Sequence, residues 1–163
     1  MGPLRLTLLR HGLAQDPEDH ARDFDRPLTH RGRDDAARMG AWLAAQGWVP
    51  ARILASPAVR TATTAQVVAT ALGQHIRAID YPEELYAATA ATLWQFAARS
   101  PAGSAHVLIC GHNPAISELA SRLGPRCERR SLVPAGLASA TWLHGAWDET
   151  RPEDADACEW REP

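Results

Sequence analysis

Short apolar strands that alternate with amphipathic helices are the feature that most restricts how this chain can fold. Leu4–Leu9 alternates apolar and polar residues before ending on two leucines, and Ala105–Cys110 is an almost continuous apolar run. Between them the apolar residues take a helical spacing, as at Ala36, Met39 and Leu43. This alternation predicts an α/β fold, a three-layer sandwich whose mostly parallel central sheet carries helices on both faces.

The remaining elements are predicted from the same two periodicities. Further strands are expected at Arg52–Ala55 and within residues 75–80, and residues 138–144 and 158–162 are typical of a closing β-hairpin. Helix start and stop signals place four helices: from Thr29 to near Gly47, from Ser56 and Pro57 to Gly73, over Ala90–Ala97, and after Asn113 and Pro114.

Length and composition exclude several classes of protein. The 163 residues can bury one core, and no repeat or linker divides them, so we expect a single domain over residues 1–163. A net charge of −2 argues against a nucleic-acid partner. All 17 basic residues are arginine, which excludes a Walker A or Schiff-base lysine. Arginine suits bidentate recognition of phosphate, although composition bias accounts for most of the seventeen.

The cysteines and the N-terminal residues indicate the compartment. Cys110, Cys127 and Cys158 are odd in number, widely spaced and in no metal or redox pattern, which favours a reducing environment. Arg5 and Arg10 interrupt the N-terminal apolar stretch, so it is neither a signal peptide nor a membrane span. We therefore expect a soluble, cytoplasmic protein with no membrane partner, and a monomer.

Cationic and titratable side chains follow three of the predicted strands. Arg10 and His11 end the first strand, Arg60 lies just after the second, and His112 follows the strand that ends at Cys110. Ligands of open α/β sheets bind at the carboxyl ends of the strands, where helix N-termini also present free amides. Two arginines and two histidines at one edge of the sheet predict a site for a dianion such as phosphate.

Each of these short motifs taken alone also has a purely structural interpretation. An Arg-His pair at a strand end, a helix start such as "SPAVR" and a turn such as "GHNP" all occur without function. The prediction therefore depends on their joint placement after successive strands. No HExxH or CxxC pattern is present, so we expect neither a catalytic metal nor another cofactor.

Four segments of the chain together resemble the histidine phosphatase superfamily, also called the phosphoglycerate mutase-like or RHG family. In chain order they are "LLRHG" (8–12), "RPLTHRG" (26–32), "SPAVRTATTA" (56–65) and "GHNP" (111–114). Their order and strand-then-helix setting match the family over nearly the whole chain. The short length and the "DRPLTHRG" stretch most resemble the SixA-type phosphohistidine phosphatases.

The resemblance implies a phosphoryl transfer in two steps with a histidine nucleophile. His11 would attack phosphorus and carry the phosphate, and Arg10, Arg60 and His112 would hold the phosphoryl oxygens. Guanidinium groups nearby should lower the pKa of the nucleophile and favour its neutral form. The same cations would stabilise negative charge in the transition state.

The general acid is the least determined part of this interpretation. The resemblance places the acid after the third strand, which favours Glu84. Asp23 in the loop before "DRPL" ranks second and Asp16 third, and a solvated charge remains the alternative for each. An imidazole leaving group would need an acid less, because the P–N bond of phosphohistidine is already labile.

The spacing of the motifs also bears on the substrate. Only 51 residues separate Arg60 from His112, which leaves no room for the lid that larger members insert there. An open pocket suits a phosphohistidine-carrying protein as substrate. The alternatives are a phosphatase of a small phosphomonoester (a sugar or nucleotide phosphate), with the loop from Gln15 to Asp25 as a partial lid, a mutase, or a phosphate-recognition module without catalysis.

Overall fold

A six-stranded mixed sheet forms the centre of the computed structural model, which describes residues 2–127 and 130–163. The strands, in chain order, are β1 (Leu4–Arg10), β2 (Arg52–Ala55), β3 (Ile79–Asp80), β4 (His106–Gly111), β5 (Leu137–Trp142) and β6 (Ala157–Arg161). Their spatial order is β3-β2-β4-β1-β5-β6. The first four are parallel, and β5 and β6 form an antiparallel pair beside β1. The predicted parallel sheet with a closing hairpin is confirmed.

Helices cover both faces of this sheet. They are α1 (His30–Ala45), α2 (Val59–Ala71), α3 (Ala90–Ala98) and α4 (Ala115–Ala120). One apolar core joins α1 and α2 to one face, and a second core joins α3 and α4 to the other. Leu8 and Leu9 of β1 belong to different cores, as the alternation of side chains along a strand requires. The three-layer prediction is therefore confirmed. Within the described residues, no helix is both long and apolar enough to cross a membrane.

Three local predictions differ from the structure. The third strand comprises only Ile79–Asp80, because residues 76–78 form a 3₁₀ turn. Helix α2 begins at Val59 with Ala58 as its N-cap, so Ser56 and Pro57 precede the helix. The Ser56 hydroxyl bonds to His112 at 2.7 Å and accepts only a longer bond, of 3.4 Å, from the Ala58 N–H. Likewise, α4 has Pro114 as its N-cap, because the Asn113 side chain is engaged elsewhere.

The register of the parallel strands brings the chain segments after them to one edge of the sheet. Arg10 pairs with Gly111, the last residue of β4, and Ala55 at the end of β2 pairs with Cys110. The His11 N–H then donates to the Gly111 carbonyl at 3.2 Å. The residues after β1, β2 and β4 are therefore neighbours in space although they are far apart in sequence.

A close backbone contact between Gly12 and Gly32 explains why a glycine follows His11. A Cβ atom on Gly12 would lie 2.6 Å from the Gly32 carbonyl oxygen, and real side chains do not approach a backbone so closely. The Gly12 N–H also donates to Thr64 Oγ1 at 3.0 Å. The turn after β1 is thus held between the first turn of α1 and the side of α2.

A disulfide joins Cys127 to Cys158 of β6, with the two Cα atoms 5.4 Å apart. The third cysteine, Cys110, is buried in β4. The sequence, in which 31 positions separate the paired cysteines, does not indicate this pairing. It arises because the fold returns the C-terminal strand to the segment after α4.

Replacing Gly12 by alanine should destabilise the protein. The added methyl group can only be accommodated by moving backbone, which typically costs about 1–3 kcal/mol. Urea unfolding followed by circular dichroism would measure this loss. Gly2→Ala is the matched control, because a Cβ there meets nothing within 4 Å. Equal stability of the two variants would contradict the close contact.

Candidate active site

His11 lies directly after β1 with one ring nitrogen held by backbone. Its Nδ1 is 2.7 Å from the Gly12 carbonyl oxygen, which can only accept a hydrogen bond, so Nδ1 carries the proton. Burial, together with the nearby charges of Arg60 and Arg10, lowers the pKa of His11 to about 4. The ring is therefore neutral near pH 7, and Nε2 presents a lone pair. This is the form that a nucleophile requires.

His112, which follows β4, faces His11. The two ring centroids are 5.4 Å apart, and His112 Nε2 lies 2.7 Å from Ser56 Oγ. Burial lowers the pKa of His112 to about 3, with Arg60 contributing in the same direction. Both rings of the pair are thus neutral, and neither repels the other.

Two arginines lie beside the histidines, and hydrogen bonds from the guanidinium group anchor each of them. Arg60, the second residue of α2, is 6% exposed and donates from Nη1 to the Asp23 carbonyl at 2.7 Å. Arg10 donates from Nη1 to the Leu132 carbonyl at 2.8 Å. These anchors fix the planes of both guanidinium groups while leaving other N–H donors available.

Three buried nitrogen atoms in this cluster have no hydrogen-bond partner. They are Arg10 Nε, Arg60 Nε and His112 Nδ1, and throughout the described part of the chain no other buried side-chain nitrogen or oxygen is unpaired. Buried polar groups are ordinarily paired, so each such atom needs an explanation. Donors from two arginines and an imidazole are the groups that bind a phosphoryl anion.

Asp23 bridges Arg26 and Arg60 at the edge of the site. Its carboxylate accepts from Arg60 Nη2 at 2.9 Å, from Arg26 Nη1 at 2.9 Å and from the Tyr86 hydroxyl at 2.9 Å. The hydrogen bond from Arg26, followed by those from Arg60 and Tyr86, holds the pKa of Asp23 well below its usual range. Asp23 is therefore ionised at neutral pH and has no proton to donate.

The other two candidate acids are exposed carboxylates. Glu84 is exposed on a 3₁₀ turn, Glu83–Leu85, and Asp16 is exposed in the loop before Asp23. Within residues 2–127 and 130–163, no hydrogen bond or ion pair links either carboxylate to His11, His112 or the arginines. The described contacts thus bring together Arg10, His11, Arg60, His112 and Asp23, and they include none from Glu84 or Asp16 to this group.

Four contributors to the site are absent from the sequence-based prediction. The sequence predicts a helix cap for Ser56 and no role for Tyr86, Arg26 or Thr64. Ser56, Arg26 and Thr64 lie inside the motifs given above, so their positions carry a signal, but only the folded structure shows what their side chains contact. Tyr86 packs edge-on against His112 with the ring centroids 5.7 Å apart, and so forms one wall of the site.

The positive charge of the site comes from arginine. In the part of the chain that the structure describes, no group of three or more His, Cys, Asp and Glu side chains is placed to hold a metal ion. The arrangement combines an imidazole lone pair with guanidinium donors, which is chemistry suited to nucleophilic attack on a bound phosphoryl group.

Comparison with known proteins identifies the class that this fold and site define. The family model described as "Histidine phosphatase superfamily (branch 1)" matches residues 6–88. This span covers half of the chain and includes three of the four segments that carry the resemblance. The chain belongs to the histidine phosphatase superfamily.

Particular relatives are of the SixA type. The chain is 30% identical to the phosphohistidine phosphatase SixA of Escherichia coli over 139 residues, 85% of each protein. A structure of the putative SixA of Nakamurella multipartitia superposes with a TM-score of 0.79 at 29% identity, covering 100% of this chain and 98% of that one. A structure of the protein histidine phosphatase SixA complexed with tungstate gives a TM-score of 0.69 at 28% identity, covering 84% and 87%. These similarities and the superfamily membership support a phosphatase.

The buried histidines predict a specific pH dependence. Because the folded state disfavours protonated His11 and His112, the unfolded chain takes up protons first as the pH falls from about 6.5 towards 4. The free energy of unfolding should therefore fall over that window, while His11 stays neutral down to about pH 4. NMR titration of the histidine ring signals would check this, and a His11 midpoint near 6.5 would contradict the buried setting.

Proposed function

We propose that this protein is a metal-independent phosphatase that dephosphorylates phosphohistidine on a protein through a phosphohistidine intermediate on its own His11. The observation that carries the proposal is the set of three unpaired buried nitrogens, on Arg10, Arg60 and His112, beside the neutral ring of His11. These donors would bind the phosphoryl oxygens while His11 attacks phosphorus.

The reaction proceeds in two steps, transfer of the phosphoryl group to His11 and hydrolysis of the phosphohistidine. The Nε2 lone pair of His11 forms a bond to phosphorus as the P–N bond to the substrate imidazole breaks, and that imidazole takes a proton from water at its other ring nitrogen. A second water then attacks the phosphorus on His11 and the second P–N bond breaks. Inorganic phosphate is released, and the proton that this water loses neutralises the hydroxide formed in the first step. Arg10 and Arg60 stabilise the charge on the equatorial oxygens in both steps. The hydrogen bond to Gly12 keeps the His11 ring oriented throughout.

The state of the acidic residues favours a P–N substrate over a phosphate ester. An ester releases an alkoxide-like oxygen and needs a proton donor near the leaving group. Asp23 is ionised through its bonds to Arg26 and Arg60, and Glu84 is exposed without a described link to the cluster. An imidazole leaving group can take a proton from water at its other ring nitrogen. The names of the SixA relatives support the same substrate class.

The chain between Arg60 and His112 bears on the size of the substrate. It forms the rest of α2, then β3, α3 and β4, with no inserted lid among these described residues. A site without a lid suits a side chain presented by a protein better than a small molecule that must be enclosed. One observation favours the alternative of a small phosphomonoester: the loop that would serve as a partial lid contacts the site, because Asp23 accepts hydrogen bonds from Arg60.

The test of the proposal is turnover by the full chain of a phosphohistidine protein and of a panel of sugar and nucleotide phosphates. We expect phosphohistidine to be preferred and His11→Ala to lose activity by about 10³-fold or more, as when a nucleophile is removed. The exposed His144→Ala serves as the matched control. ³²P should be trapped on His11 in an acid-labile form. Full activity of His11→Ala, or preference for a small ester, would contradict the proposal.

Removing the candidate acids should have little effect on this substrate. We expect Glu84→Gln and Asp23→Asn each to lower turnover of phosphohistidine less than about tenfold, because neither residue supplies the leaving-group proton. Steady-state kinetics of the two variants would measure this. A loss of about 10²-fold or more in either variant would identify that residue as the acid.

A further inference from the structure

Ser56 is a buried serine whose hydroxyl bonds to a histidine of the candidate active site. It follows β2 directly, is fully buried, and places Oγ 2.7 Å from His112 Nε2. We propose that Ser56 is a positioning residue that holds His112 in the tautomer with its proton on Nδ1, so that His112 donates a hydrogen bond to the substrate phosphoryl group. This inference rests on the proposed function, because it assigns the donor in the hydrogen bond between His112 and the phosphoryl group of the proposed substrate.

The donors around Ser56 Oγ determine which partner donates in the hydrogen bond between Ser56 and His112. A hydroxyl group has one proton to donate and two lone pairs that accept. The Ala58 N–H approaches Oγ at 3.4 Å and can only donate. Thr61 donates to the Ser56 carbonyl oxygen and not to its hydroxyl. In the described structure, His112 Nε2 is therefore the one acceptor that the Ser56 proton can reach.

The opposite direction would leave two buried groups unsatisfied. If Nε2 carried the proton, Oγ would accept from both Ala58 and His112, and its own O–H would have no acceptor. His112 Nδ1 would then be a bare lone pair, also buried without a partner. Each unpaired buried group carries a substantial desolvation cost. The arrangement with Ser56 donating satisfies the hydroxyl and leaves a single N–H directed to a ligand.

The backbone of Ser56 is fixed at both of its polar groups. Its N–H donates to the Cys110 carbonyl at 3.1 Å, and its carbonyl accepts from Thr61 Oγ1 at 2.9 Å. Both contacts are buried between β2, β4 and the start of α2. The hydroxyl is thus presented to His112 from a rigid point, as an orienting group requires.

The two histidines of the site then carry the same tautomer for opposite purposes. His11 gives its Nδ1 proton to the Gly12 carbonyl and presents a lone pair at Nε2. His112 has its lone pair occupied by Ser56 and presents the N–H. Since burial keeps both rings neutral, the tautomer and not the charge decides which one attracts a phosphoryl oxygen.

The experiment reads the tautomer directly. In the ¹⁵N-labelled full chain, long-range ¹H–¹⁵N correlation spectra report which ring nitrogen of His112 carries the proton, with and without inorganic phosphate. We expect Nδ1 to be protonated in the wild type and the proton to move at least partly to Nε2 in Ser56→Ala. Ser56→Ala should also weaken phosphate binding and lower kcat/KM for phosphohistidine by about 10–100-fold, as for other partners that orient a histidine.

Two further variants separate this role from a general loss of packing. Ser139→Ala removes another buried serine hydroxyl, which bonds to Thr7 in the sheet, and should leave the His112 tautomer and kcat/KM unchanged. Ser56→Thr keeps the hydroxyl and should restore the wild-type tautomer. If the Ser56 variants do not fold, the wild-type spectrum still tests the inference, because it shows which ring nitrogen of His112 carries the proton.

The possible failures are distinguishable. Wild-type protein with the His112 proton on Nε2 would overturn the inference whether or not the enzyme is active, and so would an unchanged tautomer and kcat/KM in Ser56→Ala. A different outcome is a protein that carries the His112 proton on Nδ1 and binds inorganic phosphate but does not turn over phosphohistidine. That outcome would contradict the proposed function and support the tautomer assignment.

Discussion

The backbone hydrogen bonds between β1 and β4 set the separation of the two histidines, and the rest of the site is arranged around that register. Arg10 pairs with Gly111, and the next bond of the ladder joins the His11 N–H to the same Gly111 carbonyl. A one-residue slip would turn one histidine to the opposite face of the sheet, because side chains alternate along a strand. The two faces of β1 and β4 pack in different cores, so a slip would exchange side chains between these cores and disrupt the packing of both.

Electrostatics in the site follow from burial combined with fixed cations. Arg10 and Arg60 are charged whatever their surroundings, while the two imidazoles respond to burial by losing their protons. The result is a positively charged site that contains a neutral nucleophile. Asp23 balances part of the charge, and it does so from a loop outside the sheet, where it also contacts Arg26 and Tyr86. The ion pair of Asp23 with Arg60 makes that loop part of the site.

Much of the fold could be predicted from local sequence, for identifiable reasons. The run Ala105–Cys110 and the pattern of Leu4–Leu9 specify buried strands, and Thr29 at the head of α1 caps the Gly32 N–H as its residue type suggests. The predictions that Ser56 and Asn113 cap helices are wrong because each side chain has a long-range partner that competes with its local role. Ser56 is a strong capping residue by type, but its hydroxyl bonds to His112, 56 positions away.

The candidate site likewise contains residues that the local sequence predicts and residues that only tertiary contacts place. The positions of Arg10, His11, Arg60 and His112 after strand ends follow from sequence, because parallel strands expose their carboxyl ends at one edge. The ranking of Glu84 before Asp23 as general acid stays a prediction, and of these two carboxylates the described hydrogen bonds link Asp23 to the site. A loop residue is placed by the partners it meets, here Arg60 and Tyr86, and no periodicity encodes them.

By itself the amino-acid sequence determined which segments become strands and helices, the edge of the sheet that holds the cationic residues, and the superfamily to which the chain belongs. These depend on local periodicity and on residue types next to one another. Only the tertiary structure decided the protonation of the histidines, the pairing of Cys127 with Cys158, the ionised state of Asp23 and the partner of Ser56. Each of these depends on burial or on contact between distant segments, and neither is a property of a residue's neighbours in the chain.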